Sequence, residues 1–248
     1  MTSTGQLPGM DEARRIRHEY ARREHAIPKD RYALHRVANL FAHQQKARYM
    51  LRLLHREQLL PLDDKTLLDV GCGDGQQLLE WVSWGGRRAQ LAGIDLIETR
   101  IARAAERLGS RSENGDTAPD LRLGDASHLP WPDGAFDIVH QSTVFTSILD
   151  PAVKRQVAGE LLRVLRPGGV LIWYDFLYNN PSNPHVKGVG ARELRSLFPA
   201  CGIRLQRVTL APPLARRLVP LSWVGSLMCE KLTLFNTHYL ATIRKGDQ

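Results

Sequence analysis

Cysteine is scarce in this chain of 248 residues. The three present, Cys72, Cys201 and Cys229, are far apart and odd in number, which excludes a disulfide framework and a zinc cluster and points to a reducing compartment. Long apolar runs are also lacking: the longest, Leu218 to Phe235, is broken by Pro220, Glu230 and Lys231 and does not read as a spanning helix. The opening Met1 to Gln6 has no charged region followed by an apolar one, so no secretory leader is expected and the chain reads as cytoplasmic. Acids are the minority, 26 against 34 Lys and Arg, giving a net charge of +8. That excess gathers around Arg14 to Arg36, Arg100, Arg103 and Arg107, and Arg216 with Arg217, where solvated helix faces explain the spacing as well as an anionic partner does. With neither an Asn-Pro-Pro-Tyr-like tetrapeptide nor an appended binding module, no nucleic-acid partner is expected. No compact set of His and Asp or Glu at ligand spacing follows the fourth strand, so no metal is expected either.

What remains is a soluble globule, 43% hydrophobic and 24% charged, of a length that one domain accommodates. Residues 1 to about 10 read as a loose tail, and residues 11–60 as two or three helices parted by Pro28. From Tyr32 to Leu60 the residues Leu34, Val37, Leu40, Phe41, Met50, Leu51, Leu53, Leu54 and Leu59 recur at helical spacing and predict one packed face, a helical cap over 1–60. Over 61–248, strand-like runs (Thr66–Val70, Gln90–Asp95, Leu121–Asp125, Phe136–His140, Val170–Phe176) alternate with helical ones (Gln77–Trp84, Ile101–Leu108, Val153–Leu165). This alternation predicts an α/β fold, a parallel sheet covered on both faces by helices. Ser110 to Pro119 reads as a loop, and Arg166-Pro167-Gly168-Gly169 as a turn that ends one helix and launches the next strand. Two late strands, Arg204–Leu210 and His238–Arg244, flank a helical insertion at about 211–236.

The chemistry concentrates after the first strand. Leu67-Leu68-Asp69-Val70 runs into Gly71-Cys72-Gly73-Asp74-Gly75 and then a helix, and alternate glycines let backbone approach a ligand beside the free N–H groups of a helix start. A tight strand-to-helix turn alone would use the same residues. Dinucleotide-binding dehydrogenases favour Gly-x-Gly-x-x-Gly, whereas here the third glycine arrives one residue early. Asp95 ends the next strand, where a carboxylate can accept hydrogen bonds from ribose hydroxyls, or simply cap a helix. Asp125, followed by Ala126, ends the third strand in a setting suited to an amino group beside a small side chain.

With these in place, residues 67–176 resemble the class I S-adenosylmethionine (SAM)-dependent methyltransferase family, of the small-molecule, type 11-like kind. Four ordered stretches carry the likeness: Leu-Asp-Val-Gly-Cys-Gly-Asp-Gly, Gly-Ile-Asp, Gly-Asp-Ala-Ser-His-Leu-Pro-Trp-Pro-Asp-Gly-Ala-Phe-Asp-Ile-Val and Leu-Arg-Val-Leu-Arg-Pro-Gly-Gly. The resemblance implies a Rossmann-like, doubly wound sheet of seven strands with the last antiparallel. It implies SAM as cofactor, with Asp69, Gly71, Cys72, Gly73 and Gly75 at its methionine part and Asp95 at the ribose. Asp125, Ala126, Leu96 and Ile97 would meet the adenine, and His140, Gln141 and Phe145 would line the cofactor beside the reacting methyl.

Methyl transfer needs an aligned nucleophile and, for a hydroxyl, a proton acceptor. The candidates are His140, Asp175 and His185, each of which packing, capping or solvation would explain equally. Acceptor choice is expected to fall to the N-terminal helices with Tyr20, Tyr32 and Tyr49, the loop Tyr178–Val189 and the insertion, together forming a lid over the methyl donor. The insertion's apolar residues fit equally a packed helix, a substrate pocket, a homodimer face or contact with a membrane surface. The leading expectation is O-methylation of a small or glycosyl natural product. The alternatives are C-methylation of a quinone or lipid-like acceptor, prompted by Trp173-Tyr174-Asp175-Phe176, and SAM binding without turnover.

Overall fold

A computed structural model describes residues 8–28, 30–109, 117–180 and 183–245. Seven strands form one sheet: β1 (Leu67–Val70), β2 (Leu91–Asp95), β3 (Asp120–Leu123), β4 (Phe136–Ser142), β5 (Leu165–Phe176), β6 (Cys201–Leu210) and β7 (Asn236–Lys245). Their order is β3-β2-β1-β4-β5-β7-β6, in which β1 to β5 pair in parallel and β7 lies antiparallel to both β5 and β6. This is the doubly wound architecture expected, last strand included. The order reverses between β1 and β4, and the crevice at the carboxyl ends of those strands is where such sheets bind ligands.

Helices cover both faces: α1 (Pro8–Ala26), α2 (Val37–Arg56), α3 (Gln76–Ser83), α4 (Glu98–Leu108), α5 (Pro151–Val164), α6 (Ala191–Leu197), α7 (Pro212–Leu218) and α8 (Trp223–Lys231). Burial on two faces explains why β1 and β2 are apolar almost throughout and fully enclosed. Neighbouring residues point opposite ways: Leu68 and Val139 join the core under α5, whereas Leu67 and Ile138 join the core under α2 and α3. A smaller cluster of Phe41, Leu210, Ala215 and Val219 ties α7 to α2 and to the end of β6. Local chemistry sets the helix ends where it is strong: Asp150 accepts from the Ala152 amide at 2.7 Å, with Pro151 opening α5.

Several expectations need correction. α1 is already present at Pro8, inside the stretch read as tail, in a position where a proline is tolerated in a helix's first turn. α2 begins only at Val37, and Leu34, Val37 and Leu51 are exposed, so the packed stripe is narrower than the spacing suggested. Arg166 to Gly169 belongs to β5, since Leu165 already pairs with Phe136 before the register shifts. α6 lies in a segment with no strong periodicity and was not foreseen. The loop expected at Ser110 to Pro119 falls largely outside the described residues.

Candidate functional site

At the switch point two cavities meet. Gly71, Asp95, Leu96, Ile97, Asp125 and Ala126 line the inner one, and Tyr20, Thr143, Ser147 and Arg100 line both. The turn after β1 is shaped by glycine: Gly71 sits at φ +70°, and a Cβ there would fall 2.5 Å from Val144 Cγ2. Gly75, at φ +79°, has a different task, because a Cβ would press on Ala104 and Leu108 of α4. The turn is also pinned to β2: the Gly71 and Cys72 amides donate to Ile94 O, and the Gly73 amide donates to Asp95 Oδ2 at 2.9 Å.

Asp95 closes β2 with its other oxygen accepting from the Ile97 amide at 2.9 Å, so both oxygens are aimed by backbone and each keeps a free lone pair. Burial pushes its carboxyl above the usual range, against the pull of those amides and of Arg100. Asp125 accepts from the Ser127 amide at 2.9 Å, which turns the chain after β3. These strand-end carboxylates and the close glycine suit a nucleoside at the inner cavity, the fit that a SAM adenosine requires.

Other expected residues are elsewhere. Asp69, nearly fully buried, spends Oδ1 on His140 Nδ1 at 2.6 Å, and neither residue lines a cavity. His140 points into the core against Trp81, on the side of Ile138 and the core under α3, and lines neither cavity. Gln141 is buried too, holding the Val144 amide through Oε1 at 3.1 Å. Phe145 packs on Trp173, ring centroids 4.4 Å apart, and Cys72 and Gly73 stay behind the cavity wall. Asp175 is fully enclosed and accepts from the amides of Phe176 (2.9 Å) and Thr146 (3.3 Å), which fastens the short turn Phe145–Ser147. Burial raises its carboxyl to about 7, against those bonds. His185 is nearly half exposed and faces Glu19 at 3.6 Å, beside the outer cavity instead of in it.

Three features were missed. First, beside Tyr20 of the N-terminal helices expected in the lid, α1 lines the inner cavity with Glu12, Ala13 and Ile16, which were not named; the four form an i, i+3, i+4 stripe visible in the sequence once a helix is assumed there. Burial would raise the Glu12 carboxyl, but Arg15 and the amides of Leu149 and Asp150 outweigh it and hold it low, so an ionised Glu12 clamps α1 to the start of α5. Arg100 lies 4.4 Å over the Tyr20 ring and completes the closure. Second, Thr143, at φ +59°, is a strained β-branched residue on the wall shared by both cavities. Third, His238 of β7 lines the outer cavity, stacked on Tyr174 at 4.7 Å and tilted against Phe176 at 3.8 Å. Burial and the nearby Lys46 push its imidazole down to about 3, so it is neutral at ordinary pH. No residue of the 211–236 insertion lines either cavity; its apolar residues pack on α2 and the end of β6. Among the described residues no group of three or more His, Cys, Asp or Glu converges as metal ligands.

A seven-stranded sheet of this order, with a glycine turn after β1 and carboxylates closing β2 and β3, defines the class I methyltransferase type of fold. Residues 68–173, less than half of the chain, match the family described as methyltransferase domain. The chain is 30% identical over 122 residues to demethylmenaquinone methyltransferase of Desulfitobacterium hafniense, 49% of this chain and 46% of that one. It is 32% identical over 120 residues to 27-O-demethylrifamycin SV methyltransferase of Amycolatopsis mediterranei, 48% of this chain and 42% of that one. The matches thus span less than half the length of these relatives. In fold it is similar to 1,6-didemethyltoxoflavin-N1-methyltransferase of Burkholderia thailandensis, solved with bound 1,6-didemethyltoxoflavin and S-adenosylhomocysteine: TM-score 0.62 at 18% identity, over 99% of this chain and 94% of that one.

Proposed function

We propose that the protein is an enzyme that binds SAM in the inner cavity and moves its methyl group to a small molecule held in the outer cavity. The observation that carries this reading is the continuity of the two cavities at Tyr20, Arg100, Thr143 and Ser147. Asp95 would take the ribose hydroxyls, Asp125 with Ala126 the adenine between Leu96 and Ile97, and Gly71 the close approach of the methionine end. When bound, SAM supplies a methyl group on a sulfonium, open to in-line attack. Alignment in a site closed by α1 is the chain's main contribution, because a positioned nucleophile removes most of the entropic barrier. His238 supports O-methylation: a neutral imidazole facing the outer cavity can accept a hydrogen bond from an acceptor hydroxyl and hold it in line.

A second reading, C-methylation of a quinone-like ring, draws on the aromatic wall of Tyr32, Phe176 and Tyr178 and on the likeness to the demethylmenaquinone enzyme. Incubating the chain with methyl-labelled SAM and panels of phenolic, glycosylated and quinone acceptors tests both. Transfer to hydroxyls that His238→Asn lowers in kcat/KM, with calorimetric SAM affinity kept, supports the first reading. Ring methylation insensitive to that change supports the second, and SAM retention without transfer to any panel leaves a binding protein.

A further inference from the structure

The helices α2, α7 and α8 share a side of the molecule, with Phe41 of α2 packed on Ala215 of α7 and on Val219 just after it, and edge-on to Trp223 of α8 at 5.1 Å. Between them they carry seven Lys and Arg and a single acid, Glu230, which is 1% exposed. α8 is turned partly inside out. Its buried residues are polar, Ser226 bonded to Ser222 O at 2.8 Å and Glu230 facing Arg48 at 3.8 Å. The opposite face, continued on both sides of the helix, presents Leu221, Val224, Met228 and Leu232 at intervals of three and four residues, and each leaves 60–83% of its surface in solvent. Leu234 and Phe235 extend this apolar strip to the start of β7, and Arg216, Arg217 and Lys231 stand exposed around it.

We propose that this face docks on the surface of an anionic lipid membrane. An exposed apolar stripe flanked in sequence by exposed Arg216, Arg217 and Lys231, with the helices' one acid withdrawn into the protein, is complementary to acyl chains beneath negative headgroups. It is poorly suited to water, where contiguous apolar surface of this kind is unfavourable. It is also poorly suited to nucleic acid, which would meet leucines where phosphate contacts are needed. Among the described residues no helix is long and apolar enough to cross a membrane, so the contact is lateral. The strip ends at Phe235, three residues before His238 on the outer cavity wall, which puts the cavity near the docked surface.

The test is flotation of the full chain with vesicles of phosphatidylcholine alone and of phosphatidylcholine mixed with phosphatidylglycerol. Binding is expected to the mixed vesicles only, to fall with added salt, and to drop about tenfold or more in R216E/R217E, since each basic residue near such a surface contributes on the order of a kcal/mol. L221S/V224S/M228S should lose binding as well. All these positions are solvent-facing, so unchanged circular dichroism and SAM affinity in the variants separate lost docking from lost folding. Binding to neither vesicle type, equal binding to both, or full binding by R216E/R217E overturns the proposal. So does a parent dimer that L221S/V224S/M228S converts to monomer, or capture by an RNA oligonucleotide in place of vesicles. Failure here leaves the methyl-transfer reading intact, because that reading is tested on soluble acceptors.

Discussion

The inner cavity and the α2–α7–α8 layer lie near the same end of the sheet, yet they are built by opposite rules. The cavity is made of backbone turns and strand ends: Gly71 at φ +70°, Asp95 bonded to the Gly73 and Ile97 amides, and Asp125 bonded to the Ser127 amide. Its shape follows from chain geometry over a few residues. The helical layer depends on side chains meeting across long sequence distances, Phe41 with Ala215, Val219 and Trp223, and Arg48 with Glu230. The contrast teaches that cofactor binding and surface recognition are separable in this chain, and each substitution below strains one side of it.

The largest expected effect is on the helical layer. Phe41→Ala empties a fully buried site between three elements and should cost about 3–5 kcal/mol of stability. Denaturant unfolding measures it, and SAM affinity of the still-folded fraction should remain near the parent's. A large loss of affinity would show that the layer and the cavity are one unit.

Asp175 lies behind the wall shared by the cavities, and its effect is read in pH. Its carboxyl is raised to about 7 by burial, so the folded chain keeps a proton that the unfolded chain releases near about pH 4. Stability is therefore expected to be highest at the acid end of that window, to decline by on the order of a few kcal/mol as pH rises toward 7, and to level off above it. In Asp175→Asn the decline should vanish from melting curves taken across the window. A variant that keeps the parent's slope would assign the titration to another group.

Asp95→Ala strikes the cavity alone. Removing charge-assisted hydrogen bonds should weaken calorimetric SAM binding by about 1.5–3 kcal/mol, whereas Asp95→Asn, whose single carbonyl oxygen can accept from only one of the two amides, should lose part of that. Equal loss in both would mean that the carboxylate's two oxygens act as a unit. The smallest effect is expected at His185, whose exposed ring meets Glu19 only at 3.6 Å: His185→Ala should change stability by no more than about 0.5 kcal/mol and leave turnover unchanged. A clear drop in rate would bring it back as a base.

The legible part of the site follows the same division. Gly71, Asp95, Leu96, Asp125 and Ala126 were named from the sequence and do line the inner cavity, because each sits at a strand end or in a turn whose outline is local. Asp69 and His140 were named alongside them and turned out to bond each other inside the core at 2.6 Å, with His140 Nε2 buried and unpartnered. One-residue alternation along a strand decides such cases, and the motif does not reveal which neighbour faces the crevice. His238 went unnoticed for the converse reason: it lies on the last strand, nearly a hundred residues beyond its stacking partners' neighbours on β4, and only the antiparallel pairing of β7 with β5 brings it beside Tyr174 and Phe176.

By itself the sequence determined the strand–helix alternation, the glycine turn and the two carboxylates that close β2 and β3, since each is encoded in stretches short enough for local backbone preference and side-chain period to specify. Only the tertiary structure decided which ionisable groups are spent inside the core, which residues of α1 line the inner cavity, and that α8 turns its polar residues inward. Those outcomes depend on the direction in which a side chain points and on the distant surface that meets it, and packing between remote segments settles both at once.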